Sequence, residues 1–178
     1  MTNGSTLESD TSLSELLFAS GITFITGVPD SAFRAFIAEL ECSEMNRRYV
    51  PATREDNAIA LAVGASLAGE HPLVFMESSG IGNAIDALTS LASVYSIPLV
   101  LFIAWAGYRG RDLPHHNAIG EPLSLLLESL RIPMLEVGLK ESLETIASTI
   151  QEAKRRANKE RQPIAVLGIP KELDDEER

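Results

Sequence analysis

The chain has 178 residues, enough for one domain that buries about two-thirds of the surface its unfolded form exposes. It is 45% hydrophobic and 22% charged, as a globular protein is, and its net charge of −10 argues against nucleic acid or an anionic membrane surface as a partner, since both need a basic face. Cys42 is the only cysteine, which excludes an internal disulfide framework and a thiolate metal cluster.

Residues 1–11 are polar, with neither a basic segment nor an apolar stretch, and read as a flexible tail rather than a secretory signal. Leu13–Ser20 reads as a helix ended by Gly21, and Ile22–Thr26, β-branched and aromatic, as a strand. Phe33, Phe36, Ile37 and Leu40 recur at helical spacing across Ser31–Leu40. Arg47–Ala52 is a second strand, followed by an apolar helix from about Arg54 to Ala68, a third strand at Leu73–Met76 and a helix over Gly82–Tyr95. Leu99–Trp105 is continuously apolar, the mark of a strand covered on both faces, and the apolar run around it is about half the length of a membrane helix. A long polar loop leads to a helix at Pro122–Leu130, a strand at Met134–Val137, an amphipathic helix at about Ser142–Asn158 and a last strand at Ile164–Leu167. Residues 171–178 read as an acidic tail.

Alternating strands and helices with buried strands imply one α/β domain over residues 12–170, a doubly wound and mainly parallel sheet with helices on both faces. A cytoplasmic protein that spans no membrane is expected.

Ligands of such sheets bind outside the carboxyl ends of the strands. Those ends lead into Gly27-Val28-Pro29-Asp30-Ser31, Glu55, Glu77 through Asn83, and Gly107 through His116. Asp30 and Ser31 are candidate reactive groups and equally candidate N-caps of the next helix. Ser78-Ser79-Gly80-Ile81-Gly82 lacks the lysine of a phosphate loop and the spacing of a dinucleotide fingerprint; it reads better as a turn that lets a ligand or backbone approach. His115 and His116 lack metal-ligand spacing and a third ligand, so proton transfer is their expected work, against surface histidines in a loop as the plain alternative. Arg109 and Arg111 suit an anionic substrate or are simply solvated.

Thr53-Arg54-Glu55-Asp56-Asn57 runs straight into Ala58-Ile59-Ala60-Leu61-Ala62-Val63. This puts the Glu55 carboxyl group at the mouth of a helix too apolar to lie wholly on a surface. Burying such a group costs several kcal/mol unless it is hydrogen-bonded or neutralised, so Glu55 either caps its helix or awaits a ligand that shares a proton.

Four blocks, in this order and spacing, carry a resemblance that extends over roughly Leu13 to Pro170. They are Gly27-Val28-Pro29-Asp30-Ser31, Glu55 with Asn57-Ala58, Ser79-Gly80-Ile81-Gly82-Asn83-Ala84, and Arg109-Gly110 through Asp112-Leu113-Pro114-His115-His116. The chain resembles the pyrimidine-binding (PYR) domain of thiamine-diphosphate-dependent 2-oxoacid decarboxylases, in particular phosphonopyruvate decarboxylases and sulfopyruvate decarboxylase α subunits.

The resemblance implies a thiamine-diphosphate-binding fold in which Glu55 hydrogen-bonds the aminopyrimidine ring of the cofactor, with Pro29, Ser79, Gly80 and Asn83 near it. It implies that Asp30 and His116, helped by His115, handle protons close to the substrate, and that Ser31, Arg109 and Arg111 contact the 2-oxoacid. Such enzymes hold the diphosphate through Mg²⁺ on a second domain bearing Gly-Asp-Gly and a following Asn; no Gly-Asp-Gly occurs here. A separate β subunit is therefore expected to supply that domain and the Mg²⁺ ligands, with self-association of the α chains through the Glu55 helix and the helix after it. Two other readings are a carboligase of the same cofactor class and a non-catalytic α/β regulatory or binding subunit.

Overall fold

The computed structural model describes residues 11–42 and 47–170. The tails read from the sequence at 1–11 and 171–178 lie outside this range, apart from Thr11. Six strands, β1 (Phe24–Gly27), β2 (Tyr49–Pro51), β3 (Pro72–Glu77), β4 (Leu99–Ala104), β5 (Met134–Gly138) and β6 (Pro163–Ile169), form one sheet in the order β2-β1-β3-β4-β6-β5. Every pairing is parallel, with Gly27 beside Phe75 and Phe75 beside Phe102 in register. The helices are α1 (Leu13–Ala19), α2 (Arg34–Cys42), α3 (Glu55–Leu67), α4 (Ile81–Asp86), α5 (Pro114–Gly120), α6 (Leu123–Ser129) and α7 (Leu143–Glu160), with a π-helical stretch over Ala87–Ser93 continuing α4.

Side chains along a strand point alternately to the two faces, and β4 shows why its sequence is apolar throughout. Val100, Phe102 and Ala104 pack with the core under α1, α2 and α7, while Leu99, Leu101 and Ile103 pack with the core under α3, α4 and α6. The first core centres on Phe75, whose ring meets Phe33, Phe36 and Tyr49 at 5.1 to 6.0 Å. Gly27 is there for space: a Cβ would sit 2.7 Å from the Phe75 ring. α7 buries Ile146, Ala147, Ile150, Ala153 and Ala157, an amphipathic stripe capped by the Ser142 hydroxyl on the Thr145 N–H. α3 is different. It is apolar on all sides, buries Ala58, Ile59, Ala62 and Val63, and leaves Leu61 and Leu67 39% and 71% exposed.

From β1 the chain goes to β2 on one side and returns to β3 on the other, so the winding reverses between β1 and β3. That reversal opens a crevice at their carboxyl ends, next to Asp30 and Glu77. The region expected as one polar loop before Pro122 contains α5, which starts on Pro114, a residue whose fixed φ and missing N–H suit a first helical position. Among the described residues no helix is long and apolar enough to cross a membrane.

Candidate active site

Glu55 is the first residue of α3, and no side chain caps that helix. Its neighbour inside the helix is engaged locally. Asp56 accepts the Asn57 N–H at 2.8 Å and pairs with Arg54 at 3.2 Å, and this guanidinium hydrogen bond holds the exposed Asp56 carboxyl below its ordinary range. Glu55 is half-buried and turns instead towards the start of α4, where its Oε2 accepts from Nδ2 of Asn83 at 2.8 Å. Beneath it lies Gly80, in ordinary helical backbone (φ −65°). Glycine is needed there for a different reason. A Cβ on Gly80 would stand 2.6 Å from Oε1 of Glu55 and 2.7 Å from its Cγ. The carboxyl group rests on a backbone with no side chain.

The second cluster lies at the switch point. Asp30, Ser31, Glu77, Asp112 and His116 line a cleft of about 290 Å³ whose remaining wall is made by Ala32, Ala104, Trp105, Ala106, Leu139 and Pro170. Each carboxylate is fixed by a backbone N–H. Asp30 accepts from Ala32 at 2.8 Å, Glu77 from Ser79 at 3.1 Å, and Asp112 from Gly107 at 2.9 Å and Leu113 at 2.7 Å. Nδ1 of His116 lies 3.0 Å from Oδ1 of Asp112, without the alignment of a hydrogen bond, and the two form an ion pair when the imidazole is protonated.

Asp112 raises the His116 pKa through this contact, more than partial burial lowers it, and Glu77 and Asp30 add to the rise. For Asp112 the largest influence is burial, which pushes its carboxyl up. His116 and the Gly107 and Leu113 amides together outweigh it, and the group ends below its ordinary value.

α5 is held against the strand ends by close packing. The Trp105 indole donates to the Gly120 carbonyl at 2.7 Å, and Gly107, in the left-handed region at φ +74°, abuts the His116 backbone. Asn117 ties the loop together by donating to the Gly110 and Asp112 carbonyls and accepting the Asp112 N–H.

The family model described as "Thiamine pyrophosphate enzyme, N-terminal TPP binding domain" matches residues 8–126. The chain belongs to this family. It is 32% identical over 114 residues to the sulfopyruvate decarboxylase subunit alpha of Methanococcus maripaludis, covering 64% of this chain and 68% of that one. With the phosphonopyruvate decarboxylase of Streptomyces viridochromogenes it shares 36% identity over 109 residues, which are 61% of this chain and 27% of the relative. Among solved structures, a thiamine diphosphate-dependent 4-hydroxybenzoylformate decarboxylase from Rhodococcus jostii superimposes with a TM-score of 0.61 at 26% identity, over 89% of this chain and 29% of that one.

In this TPP-binding domain the residues singled out from the sequence fall into three places. Glu55 is hydrogen-bonded to Asn83 and lies against Gly80. Asp30, Ser31 and His116 line the cleft, and the exposed His115 ring stands edge-on to that of His116 with centroids 4.2 Å apart. Asp30 also caps the turn Ser31–Phe33, so both readings of that residue hold geometrically. Pro29 is exposed in the turn after β1, and Ser79 meets Glu77 through its N–H. Arg109 and Arg111 are exposed and do not line the cleft; Arg109 stacks 5.0 Å from the Tyr108 ring centroid.

Two members of the cleft were not singled out from the sequence, Glu77 and Asp112. A charged residue ending an otherwise buried strand is the signal for Glu77, and the i,i+4 spacing to His116 is the signal for Asp112.

Proposed function

We propose that this chain is the pyrimidine-binding α subunit of a split thiamine-diphosphate-dependent 2-oxoacid decarboxylase, with Glu55 holding the aminopyrimidine ring. The observation that carries this reading is the state of Glu55. It begins a helix without capping it, keeps acceptor capacity beyond its bond to Asn83, and lies on a glycine whose Cβ would displace it. A carboxyl group placed this way, beside an apolar helix, suits a shared proton with a ring nitrogen. The donor set fits the cofactor.

Thiamine diphosphate, when bound, supplies the electron sink for loss of CO₂ from a 2-oxoacid. The protein supplies orientation and proton management. Glu55 and Asn83 would fix the ring, with Gly80 and Ser79 leaving it room and Pro29 beside it. His116, its charge supported by Asp112, would deliver a proton at the mouth of the cleft, with the His115 ring edge-on to it, and Asp30 and Ser31 would face the substrate.

The relative in Methanococcus is named as a subunit, and no Gly-Asp-Gly occurs in this chain. A β subunit bearing that motif and a later Asn would complete the site and hold the diphosphate through Mg²⁺. The exposed apolar side of α3, with Leu61 and Leu67, and the neighbouring Val94 and Tyr95 give the chain a surface suited to the β subunit and to a second α chain.

The test is Glu55→Gln in the co-expressed complex. Decarboxylation of 2-oxoacids should fall by at least about a hundredfold, the loss expected when a proton-sharing group is removed, while the complex still elutes at its normal size. Turnover like that of the wild type would overturn the reading. Product formed only when an acceptor aldehyde is present would make the complex a carboligase instead.

A further inference from the structure

Glu77 stands between the two ends of the site. It lines the cleft beside Asp30, Asp112 and His116, and its side chain also caps the short helical turn Ser78–Gly80 that leads into α4. That turn carries the seat of Glu55. Gly80, on which the carboxyl group rests, is its last residue, and Asn83, which donates to Glu55, follows in the first turn of α4.

The clip is made by one oxygen. Oε1 of Glu77 accepts the Ser79 N–H at 3.1 Å and lies 3.2 Å from the Ser78 hydroxyl, while among the described residues none donates to Oε2. Ser78 is fully buried, and its hydroxyl also donates to the Ala106 carbonyl at 2.9 Å. Ala106 leads into Gly107, which abuts the His116 backbone, so the turn is tied to both ends. A turn this short has few and poorly aligned hydrogen bonds of its own. The bonds from Glu77 and Ser78 therefore fix where Gly80 and Asn83 stand.

On the reading of Glu55 as the group that holds the aminopyrimidine ring, we propose that Glu77 is its positioning residue, clipping the Ser78–Gly80 turn and so placing Gly80 and Asn83 around the Glu55 carboxyl group. The same side chain has an electrostatic effect at the other end, where its charge joins those of Asp112 and Asp30 in favouring the protonated form of His116. Substitution separates the two. A glutamine can turn its oxygen to the Ser79 N–H and its amide nitrogen to the side where nothing donates, so Glu77→Gln keeps the clip and loses the charge. Glu77→Ala loses both.

Turnover is measured in the co-expressed complex, at a pH low enough for His116 to be charged in every variant. Glu77→Ala should lower kcat for 2-oxoacid decarboxylation by about tenfold, as a small misplacement of a reacting group does, with little change in KM. Glu77→Gln should recover most of that loss. Equal losses in the two variants would overturn the positioning role while leaving the decarboxylase reading intact.

A second measurement does not depend on turnover. In the full chain the side-chain amide of Asn83 reports its bond to Glu55 by NMR. Its resonances should stay in place in Glu77→Gln and move in Glu77→Ala towards their positions in Glu55→Ala, while the His116 titration falls by the same small amount in both Glu77 variants. A Glu77→Ala chain that melts at a lower temperature but keeps the Asn83 resonances of wild type would make Glu77 a stabilising cap only, and the positioning role would fall. If instead the complex decarboxylates no 2-oxoacid and the Asn83 resonances still move in Glu77→Ala alone, the activity reading fails and the placement of Glu55 by Glu77 stands.

Discussion

The Glu55 and His116 ends of the site are built in opposite ways. Glu55 is placed by something missing. It has one amide donor, Asn83, and its carboxyl group fits because Gly80 has no Cβ. His116 is placed by accumulation: an ion pair to Asp112, two amides anchoring Asp112, Asn117 spanning the loop, and Gly107 and Gly120 allowing α5 to approach the strand ends. The contrast follows from what each group has to do. A carboxyl group that shares a proton with a ligand must keep acceptor capacity when empty, so the fold positions it by shape. An imidazole whose charged form is to be favoured needs a nearby negative charge, and that charge needs anchors.

If Glu55 is positioned by shape, a methyl group should undo it. Gly80→Ala puts a Cβ 2.6 Å from Oε1 of Glu55, and the atoms in the way belong to a side chain that can swing aside. Folding should therefore change little, with the melting temperature within a few degrees of wild type. The decarboxylation rate of the complex should drop about a hundredfold, the scale of an ångström's misplacement in a reacting group. Unchanged activity would mean that Glu55 reaches its ligand from more than one position, and placement by absence would lose its force.

The same contrast explains what could be read from the chain in advance. The buried strands were legible because burial on both faces leaves continuous apolar runs, as at Leu99–Ala104, and α7 because a one-sided stripe has a helical period. Glu55 was legible too, since a carboxylate at the start of an all-round apolar helix is locally anomalous. α5 was hidden, because Pro114-His115-His116-Asn117-Ala118-Ile119-Gly120 has no apolar period and is held by contacts to Trp105, Asp112 and Gly107 that are made in space. The role of Gly80 was out of reach for a related reason. Its φ is one any residue adopts, so only the position of Glu55, 25 residues earlier, explains it. Glu77 was legible as a residue at the ligand-facing end of the third strand, but not its nearness to His116, which depends on how the chain packs in space.

At the His116 end the decisive change is Asp112→Asn. Asp112 is the largest cause of the upward shift of His116, so removing its charge should return the imidazole towards its ordinary pKa, with the weaker influence of Glu77 and Asp30 remaining. The imidazolium then survives to a lower pH than in wild type. If His116 donates a proton in turnover, the alkaline limb of the rate profile should move to lower pH, and the histidine's NMR titration should move with it. Stability follows the same sign. The His116 contribution is fully present below the unfolded histidine pKa and fades as pH rises through the raised folded value. The Asp112 contribution is present above the ordinary carboxylate range and fades as pH falls through its lowered folded value. Asp112→Asn should flatten the pH dependence at both edges. A rate profile that stays put while the NMR titration moves would remove His116 from proton transfer.

Asn117→Ala should have the smallest effect and tests whether the accumulated contacts act in order of importance. The variant leaves the Gly110 and Asp112 carbonyls and the Asp112 N–H without their side-chain partner, but the Asp112 residue is exposed and water can replace much of what is lost. A loss of about 1–2 kcal/mol is expected, lowering the melting temperature by roughly 2–8 °C for a chain of this size. The Gly107 and Leu113 amides still hold the Asp112 carboxylate, so the His116 titration should move by much less than in Asp112→Asn. A shift as large as that of Asp112→Asn would show that the amide anchors alone cannot aim the carboxylate. The loop would then orient His116 only as one cooperative unit, without a dominant pair inside it.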